Sequence, residues 1–355
     1  VRRPPFRVER WTRTSALGCA AAAVILLVLA SLPAWAGPAT LRLAVEIGYC
    51  LALAELWNLL AGYAGLVSVG QQTFVGLGGY ALFTFAVLLH LPPLLALPLA
   101  ALAAGVIAIP VALVVFRLRG AYFAIGTWVV AEVFRLTLAL VMPLGGGTGM
   151  SLPVAVVRAI APAPALRESI VYYIGLLAGT GSIALVFLWL RSRQGLALTA
   201  IRDDEDAAAS AGVDAWRTKL AVYIVTAAAT GLIGALIFIE KLRISPDAAF
   251  SVGDWSVNII FIVVIGGIGR IEGPIVGTLV FFALRNFFAD AGPWYMILLG
   301  AVAVVVMLKA PQGLWGLIAE RYGIEFFPVR RRLRQTGPGA GPVPDALGRR
   351  GDAAP

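Results

Sequence analysis

Charged residues are scarce in this chain. They make up 13% of the 355 residues, whereas hydrophobic residues make up 60%, and the mean hydropathy is +0.90. A soluble globular domain is about a quarter charged, so this composition excludes an ordinary soluble protein and predicts a multi-pass membrane protein. Because several apolar runs reach about 20 residues, the length that crosses a bilayer, we expect one helical bundle rather than separate domains.

Cysteine and histidine are almost absent, which limits the chemistry available to the chain. Cys19 and Cys50 both lie within apolar runs, so a disulfide framework or a zinc site is not expected. His90 is the single histidine and stands at the end of an apolar run, just before Pro92. We expect it to lie at the membrane interface rather than in a metal centre or a catalytic triad. We therefore predict no catalytic residue, no metal and no cofactor.

Patterns that bind phosphate or nucleic acid are also missing. The sequence has no G-x-x-x-x-G-K-[ST] motif, and none of its lysines follows a glycine. If ATP drives this protein, another subunit hydrolyses it. The net charge of +9 does not indicate nucleic-acid binding, because the arginines cluster at the ends of apolar runs, as the positive-inside rule predicts. An intramembrane enzyme is disfavoured, since no nucleophile elbow, paired histidine ligands or convergent acid–base set is found.

The apolar runs predict an all-α bundle of about ten transmembrane helices with both termini on the cytoplasmic side. Ala34-Trp35-Ala36 resembles a signal-peptide cleavage site, but we favour a retained first helix after a basic cytoplasmic N-terminus at residues 1–15. The membrane domain is expected over residues 16–320, and a basic, disordered cytoplasmic tail over residues 321–355. The expected spans are Ala16–Trp35, Leu41–Gly62, a segment ending near His90, Pro92–Phe116, Ala121–Val141, Ser169–Leu190, Trp216–Glu240, Trp255–Gly266, Gly277–Ala289 and Trp294–Lys309.

A glycine-rich stretch between Gly62 and Ala81 interrupts this pattern and suits a lipid-facing helix poorly. Non-helical backbone at membrane depth is tolerated where protein or a water-filled cavity surrounds it, so we interpret the stretch as a broken or re-entrant segment. A tightly packed helix without a direct role in transport is an equally supported alternative. On the first interpretation, the polar residues in and beside the stretch are candidates for lining a path: Asn58, Ser68, Gln71 and Gln72.

A pair of opposite charges stands within another apolar run. Glu132 and Arg135 are three residues apart, which places them on one face of a helix where they can pair. Charged residues within a bilayer face the bundle interior or a cavity, so the pair is a functional candidate. The alternative is a structural clamp between helices, which is at least as well supported.

The longest charged passage between apolar runs covers residues 191–219. Its small apolar residues recur at roughly helical spacing on both sides of a break at Asp204. Gly212 is a natural helix stop, and Asp214 is placed to cap the next helix. We predict a cytoplasmic docking surface for a second protein, with an ordinary solvated loop as the alternative. The residues expected to dock are Asp203, Asp204, Glu205, Asp206, Ala207, Ala208 and Gly212.

Several stretches together resemble one known family. DAAASAG, from Asp206 to Gly212, is similar to the E-A-A-x-x-x-G motif of ABC importer permeases, with Asp206 where glutamate is common. The other stretches, in chain order, are NLLAGYAGLVSVGQQTFVGLGGYA, RLRGAYFAIGTWVVAEVFRL, GGGTGMSLP, SRQGLALTAIRDDEDAAASAGVDAWRTKL, VIGGIGRIEGPIVG and APQGLWGLI. This order resembles the branched-chain amino acid permeases of the LivM type, over residues 41–316. The continuation that follows the E-A-A motif in many ABC permeases is not evident here, which suits this branch.

The resemblance implies a permease subunit, not an enzyme, in the bacterial cytoplasmic (inner) membrane. With a paralogous LivH-type permease it would form a path for branched-chain amino acids, driven by two ATP-binding subunits and supplied by an extracytoplasmic substrate-binding protein. The docking residues would form the coupling helix that sits in a cleft of the ATP-binding subunit. ATP would be bound by those partners, and membrane lipid, not nucleic acid, would surround the bundle.

Two alternatives remain open at this point. Related permeases import urea or short amides instead of branched-chain amino acids. A secondary transporter or channel, in which Glu55 or Glu132 relays protons, is the alternative of another class, and it needs no ATP-binding partner.

Overall fold

The computed structural model describes residues 6–9, 13–288, 294–310, 312–322, 326–327 and 332–335. In these ranges the chain is almost entirely helical, and 7 helices are long and apolar enough to cross a membrane. This confirms the prediction of an all-α, multi-pass membrane protein. The 7 segments are Pro38–Tyr63, Pro93–Val115, Ala121–Ala139, Pro164–Arg191, Ala215–Lys241, Pro246–Gly266 and Gly300–Tyr322, and shorter apolar helices cover Ala20–Ala34 and Gln72–Leu88.

Helices follow one another with short connections along the whole described chain. They are α1 (Arg13–Ser31), α2 (Pro38–Asn58), α3 (Gln72–Phe83), α4 (Pro93–Val115), α5 (Ala121–Ala139), α6 (Val154–Ile160), α7 (Pro164–Arg191), α8 (Arg193–Asp203), α9 (Glu205–Ser210), α10 (Ala215–Lys241), α11 (Pro246–Ala249), α12 (Asn258–Gly266), α13 (Glu272–Phe287), α14 (Trp294–Lys309) and α15 (Gly313–Tyr322). Five-residue π-helical turns extend α2 over Leu59–Tyr63 and α3 over Thr84–Leu88, and another at Gly253–Val257 leads into α12.

Two short antiparallel strand pairs tie distant parts of the chain together. Strands β2 (Met150–Ser151) and β3 (Arg243–Ile244) pair, so the connections that follow α5 and α10 meet at the same end of the bundle. Strands β1 (Phe6–Glu9) and β4 (Arg332–Gln335) pair, which brings the first and last described segments side by side. The sequence predicted neither pairing, because both partners are short and lie far apart in the chain.

Glycines set the close packing of the central helices. Gly78 in α3 faces Gly231 in α10, and Gly234 faces Val75, so that a Cβ added to either glycine would overlap a backbone carbonyl of the other helix. Such small-residue contacts let helix backbones approach closely in a membrane, where the hydrophobic effect does not drive helices together. The polar glycine-rich composition of α3 therefore reflects burial against α10 rather than exposure to lipid.

The chain between α5 and α7 is more ordered than predicted. The predicted spans end at Val141 and resume at Ser169, but α6 forms between them, and α7 already begins at Pro164. Proline suits the first turn of a helix because its missing N–H would have had no partner there. The predicted span end at Ala289 and the tail beyond residue 335 lie outside the described residues.

Candidate functional site

The charged passage between α7 and α10 folds into the two helices α8 and α9, called the docking helices below. The break between them falls at Asp204, as predicted, because its carboxylate accepts a hydrogen bond from Ala207 N at 2.9 Å and caps α9. Gly212 adopts a left-handed conformation, φ 86°, and ends the second helix, which also agrees with the prediction. Asp214 accepts from Arg217 N at 3.0 Å and caps α10, which confirms the third predicted signal.

The two docking helices differ in how they are held. Helix α8 buries Leu198 and Ile201 against the bundle, whereas α9 buries only Ala208 and exposes its other residues. Lys219 of α10 pairs with Glu205 at 2.7 Å and holds the start of α9. The result is a short helix with small side chains that projects from a well-anchored base.

The four consecutive acids have different roles in this arrangement. Asp203 pairs with Arg202 at 2.8 Å, Asp204 is the cap of α9, and Glu205 pairs with Lys219. Asp206 is exposed and forms no ion pair with a residue that the structure describes. Of the predicted docking acids, Asp206 is therefore the one whose charge is open to a partner.

Arg202 connects the docking helices to the end of α2, a contact that no pattern in the sequence indicates. Its Nη1 donates a hydrogen bond to Gly62 O at 2.8 Å, and its side chain lies beside Gly65. Gly62 and Gly65 stand where helix α2 ends and the glycine-rich break begins. In the sequence, Arg202 is one of several charged residues in the passage 191–219. Its contact with Gly62 could not be predicted, because it joins residues 140 positions apart.

The glycine-rich stretch contains a true interruption of the helix. Residues 65–71 are not helical, and the polar groups of this backbone are paired by side chains from elsewhere. Trp57 donates to Ser68 O at 2.7 Å, Val69 N donates to the Thr127 hydroxyl at 3.2 Å, and Ser256 donates to Val69 O at 3.1 Å. Non-helical backbone surrounded by such partners is the kind that a membrane interior tolerates.

Of the predicted path residues, two use their side chains to hold backbone in place, and two keep a polar side-chain atom without a described partner. Asn58 is a clamp: its amide donates to Arg270 O at 2.9 Å and its carbonyl accepts from Gly269 N at 2.8 Å, which fixes the turn before α13 against α2. Ser68 accepts from Gly70 N at 3.1 Å and stabilises the break. Gln71 and Gln72 each use one end of the amide and leave the other without a described partner.

Glu55 lies one helical turn before Asn58 in α2 and is completely buried. Neither carboxylate oxygen has a hydrogen-bond partner among the described residues. Together with Gln71 Oε1, Gln72 Nε2 and Thr73 Oγ1, it belongs to a group of buried polar atoms without described partners around the break. Buried polar groups of this kind are uncommon, so the region around the break is the strongest candidate for a hydrated or moving part of the bundle.

Glu132 and Arg135 form an ion pair on α5, with Arg135 Nε to Glu132 Oε1 at 2.9 Å. Arg135 also contacts Asp247 of α11 at 2.6 Å. The side chains of Arg135 and Glu132 are 27% and 43% exposed, so the pair lies on the outer surface of this chain rather than in its core. The pair therefore links α5 to α11 and is accessible from outside this chain.

These features define a class: a multi-pass helical membrane protein with a polar break in its core and a projecting, charged helix at one end. Residues 39–307 match the family model described as branched-chain amino acid transport system / permease component. The chain belongs to this family.

Two curated proteins are similar to the chain. Each is named high-affinity branched-chain amino acid transport system permease protein LivM, one from Salmonella typhimurium strain LT2 and one from Escherichia coli strain K12. Each is 29% identical over 282 residues, a match that covers 72% of this chain and 65% of the relative. The chain thus spans about two thirds of the length of these relatives. No solved structure matches it significantly.

Proposed function

We propose that this protein is the permease subunit of an ABC importer for branched-chain amino acids in the bacterial inner membrane. The family membership and the LivM-like relatives support this function. The observation that carries it is the geometry of the docking helices, in which an exposed helix of mostly small residues projects from a base that is hydrogen-bonded to the end of α2. The protein itself is not an enzyme on this proposal, and ATP is bound and hydrolysed by two partner subunits.

The contacts of α8 suggest how a partner's movement would reach the membrane interior. A force on α9 passes to α8, and Arg202 passes it to the carbonyl of Gly62 at the start of the break. Lys219 passes the same force to α10 through Glu205. Because α10 packs on α3 through Gly231 and Gly234, both routes end at the polar group around the break. Closure of the ATP-binding subunits would in this way change access to the path.

The paralogous permease would lie against α5. The surface of this helix is mostly apolar but carries the exposed Glu132–Arg135 pair. Charged side chains within a bilayer avoid lipid and face protein or a water-filled cavity. A second permease on this face would cover the pair, and the path would run between the two subunits. An extracytoplasmic binding protein would deliver the substrate.

The number of membrane crossings and the side on which the termini lie form part of the same proposal. Counting α1 to α5, α7, α10 and α12 to α14 as crossings gives about ten, with the glycine-rich break as a re-entrant or interrupted element. The pairing of β1 with β4 supports placing both termini on one side of the membrane. The basic residues before α1 and the docking helices favour the cytoplasm for that side.

Reconstitution tests the proposal. The complete complex, with its ATP-binding subunits and binding protein, is placed in proteoliposomes and uptake of labelled leucine is measured. Uptake that requires ATP and the ATP-binding subunits is expected. Uptake driven by a proton gradient without those subunits would favour the secondary-transporter alternative and overturn the proposal. Uptake of urea or acetamide, with no uptake of leucine, would change the proposed substrate class but leave the proposed role as an ABC importer permease intact.

A further inference from the structure

A cavity of about 240 Å³ lies between α2, α7 and α10. It is at the end of the bundle opposite the docking helices, because it is formed by the first turns of α2 and α7 and the last turn of α10. Helix α7 has 28 residues, so roughly 40 Å separates this end from α8. On the proposed topology the cavity opens to the extracytoplasmic side.

Charges of both signs line the cavity, and only some of them are paired. The charged lining residues are Arg42, Arg167, Glu168, Glu240 and Lys241. Arg42 pairs with Glu168 at 2.9 Å, and the ammonium of Lys241 lies over the ring of Trp255 at 4.7 Å. Arg167 and Glu240 form no hydrogen bond or ion pair through their side chains with any residue that the structure describes. The cavity therefore presents one cation and one anion with free hydrogen-bonding capacity.

The rest of the wall is aliphatic and includes Leu41, Val45 and Leu242. Leu242 has a left-handed backbone, φ 55°, which is rare for a residue other than glycine, asparagine or aspartate. Strained backbone of this kind is concentrated at ligand sites, where the surrounding structure holds it in place. It directs the chain from α10 into β3 and places Leu242 in the wall of the cavity.

We propose that this cavity binds a free aliphatic amino acid as its zwitterion. Arg167 would receive the carboxylate, Glu240 the ammonium group, and the aliphatic wall the side chain. A partly buried charge that lacks a hydrogen-bond partner is costly, and a zwitterion supplies charge-assisted hydrogen bonds to both groups while adding no net charge. The volume is below the roughly 300–1,000 Å³ of pockets for drug-sized ligands, which suits a single amino acid.

This site deepens the proposed function and rests on it. It gives the permease its own point of contact with substrate on the side where delivery occurs, away from the polar break. A zwitterionic phospholipid headgroup carries the same two charges, so the test must separate free amino acid from lipid.

The test uses the complete complex without its binding protein, in nanodiscs of phosphatidylglycerol alone. Labelled leucine is titrated, with competition by 3-methylbutylamine, which lacks the carboxylate, and 4-methylpentanoate, which lacks the ammonium group. Leucine is expected to bind, and each analogue to compete at least about tenfold more weakly, because each leaves one charge unmatched. Arg167→Gln and Glu240→Gln should each weaken leucine binding about tenfold or more. Arg158→Gln, an exposed arginine on α6 outside the cavity, should leave it unchanged.

Three results would overturn the site: no leucine binding, leucine binding unchanged in both cavity variants, or equal competition by the singly charged analogues. Native mass spectrometry on complexes from membranes that contain phosphatidylethanolamine adds a fourth. Retention of that lipid in the wild type and its loss in both variants, with leucine binding unaffected, would assign the cavity to a headgroup.

Uptake measured on the same preparations separates the proposed site from the proposed function. ATP-driven leucine uptake with any of these results refutes the site alone, whereas leucine binding as expected without ATP-driven uptake refutes the function alone.

Discussion

Arg202 and Gly62 are joined by a hydrogen bond of 2.8 Å between the guanidinium of a docking helix and the last turn of α2. The carbonyl that accepts it lies at the point where the helix gives way to the glycine-rich break. An exposed charged helix and a buried polar interruption, which look unrelated in the sequence, therefore share a direct contact. The proposed coupling between α9 and the break depends on this contact, because it joins α8 directly to the turn that precedes the break.

Removing the contact should separate ATP hydrolysis from transport. In the complete complex, Arg202→Gln loses a charge-assisted hydrogen bond and should lower leucine uptake about tenfold, with the complex still assembled and ATP still hydrolysed. Arg193→Gln is the matched control, since Arg193 is exposed on the same helix and forms no ion pair with a described residue. Equal uptake in the two variants would remove Arg202 from the coupling route.

A substitution at Glu55 distinguishes ATP-driven transport from proton-driven transport. No described cation pairs with this fully buried side chain, so the isosteric neutral variant Glu55→Gln leaves the packing intact and removes no ion pair. We expect leucine uptake within about twofold of wild type. A proton relay through Glu55 requires a titratable group there. Abolished uptake in Glu55→Gln, with normal expression and thermal stability, would support the relay.

The glycine contact between α3 and α10 offers a stability test with an internal control. A Cβ at Gly78 would overlap the carbonyl oxygen of Gly231, whereas a Cβ at Gly181 in α7 meets nothing within 4 Å. Gly78→Ala should therefore destabilise the folded chain by about 1–3 kcal/mol, the usual cost of overpacking. Gly181→Ala should have little effect. Thermal unfolding in detergent measures both, and equal melting temperatures would show that the backbones are not in contact.

Local signals in the sequence predicted the docking helices well. Asp204, Gly212 and Asp214 act on neighbours within four residues, so their capping and stopping roles are visible in the order of residue types. The all-α class followed from the apolar runs for the same reason. The separate roles of the four acids were not predicted: Asp203, Asp204 and Glu205 have partners within the fold, whereas Asp206 has no described side-chain partner.

Contacts between distant residues could not be predicted. Asn58 suggested a path residue because it is polar within an apolar run, yet its amide clamps the chain at Arg270, 212 positions away. Only the folded arrangement shows which polar side chains satisfy backbone groups and which stay open. The same limit applies to Arg202 and to the cavity charges Arg167 and Glu240, whose partners or neighbours come from other helices.

Charge reversal at Asp206 tests whether α9 couples ATP hydrolysis to transport, because this exposed acid on α9 has no described side-chain partner within its own chain. The measurement is leucine uptake per ATP hydrolysed by the reconstituted complex, with Glu320→Lys, an exposed acid on α15, as the control. We expect Asp206→Lys to insert normally into the membrane but to lower this ratio, or complex assembly, at least about tenfold, and Glu320→Lys to do neither. Wild-type uptake and assembly with Asp206→Lys would contradict the assignment of α9 as the helix that couples ATP hydrolysis to transport.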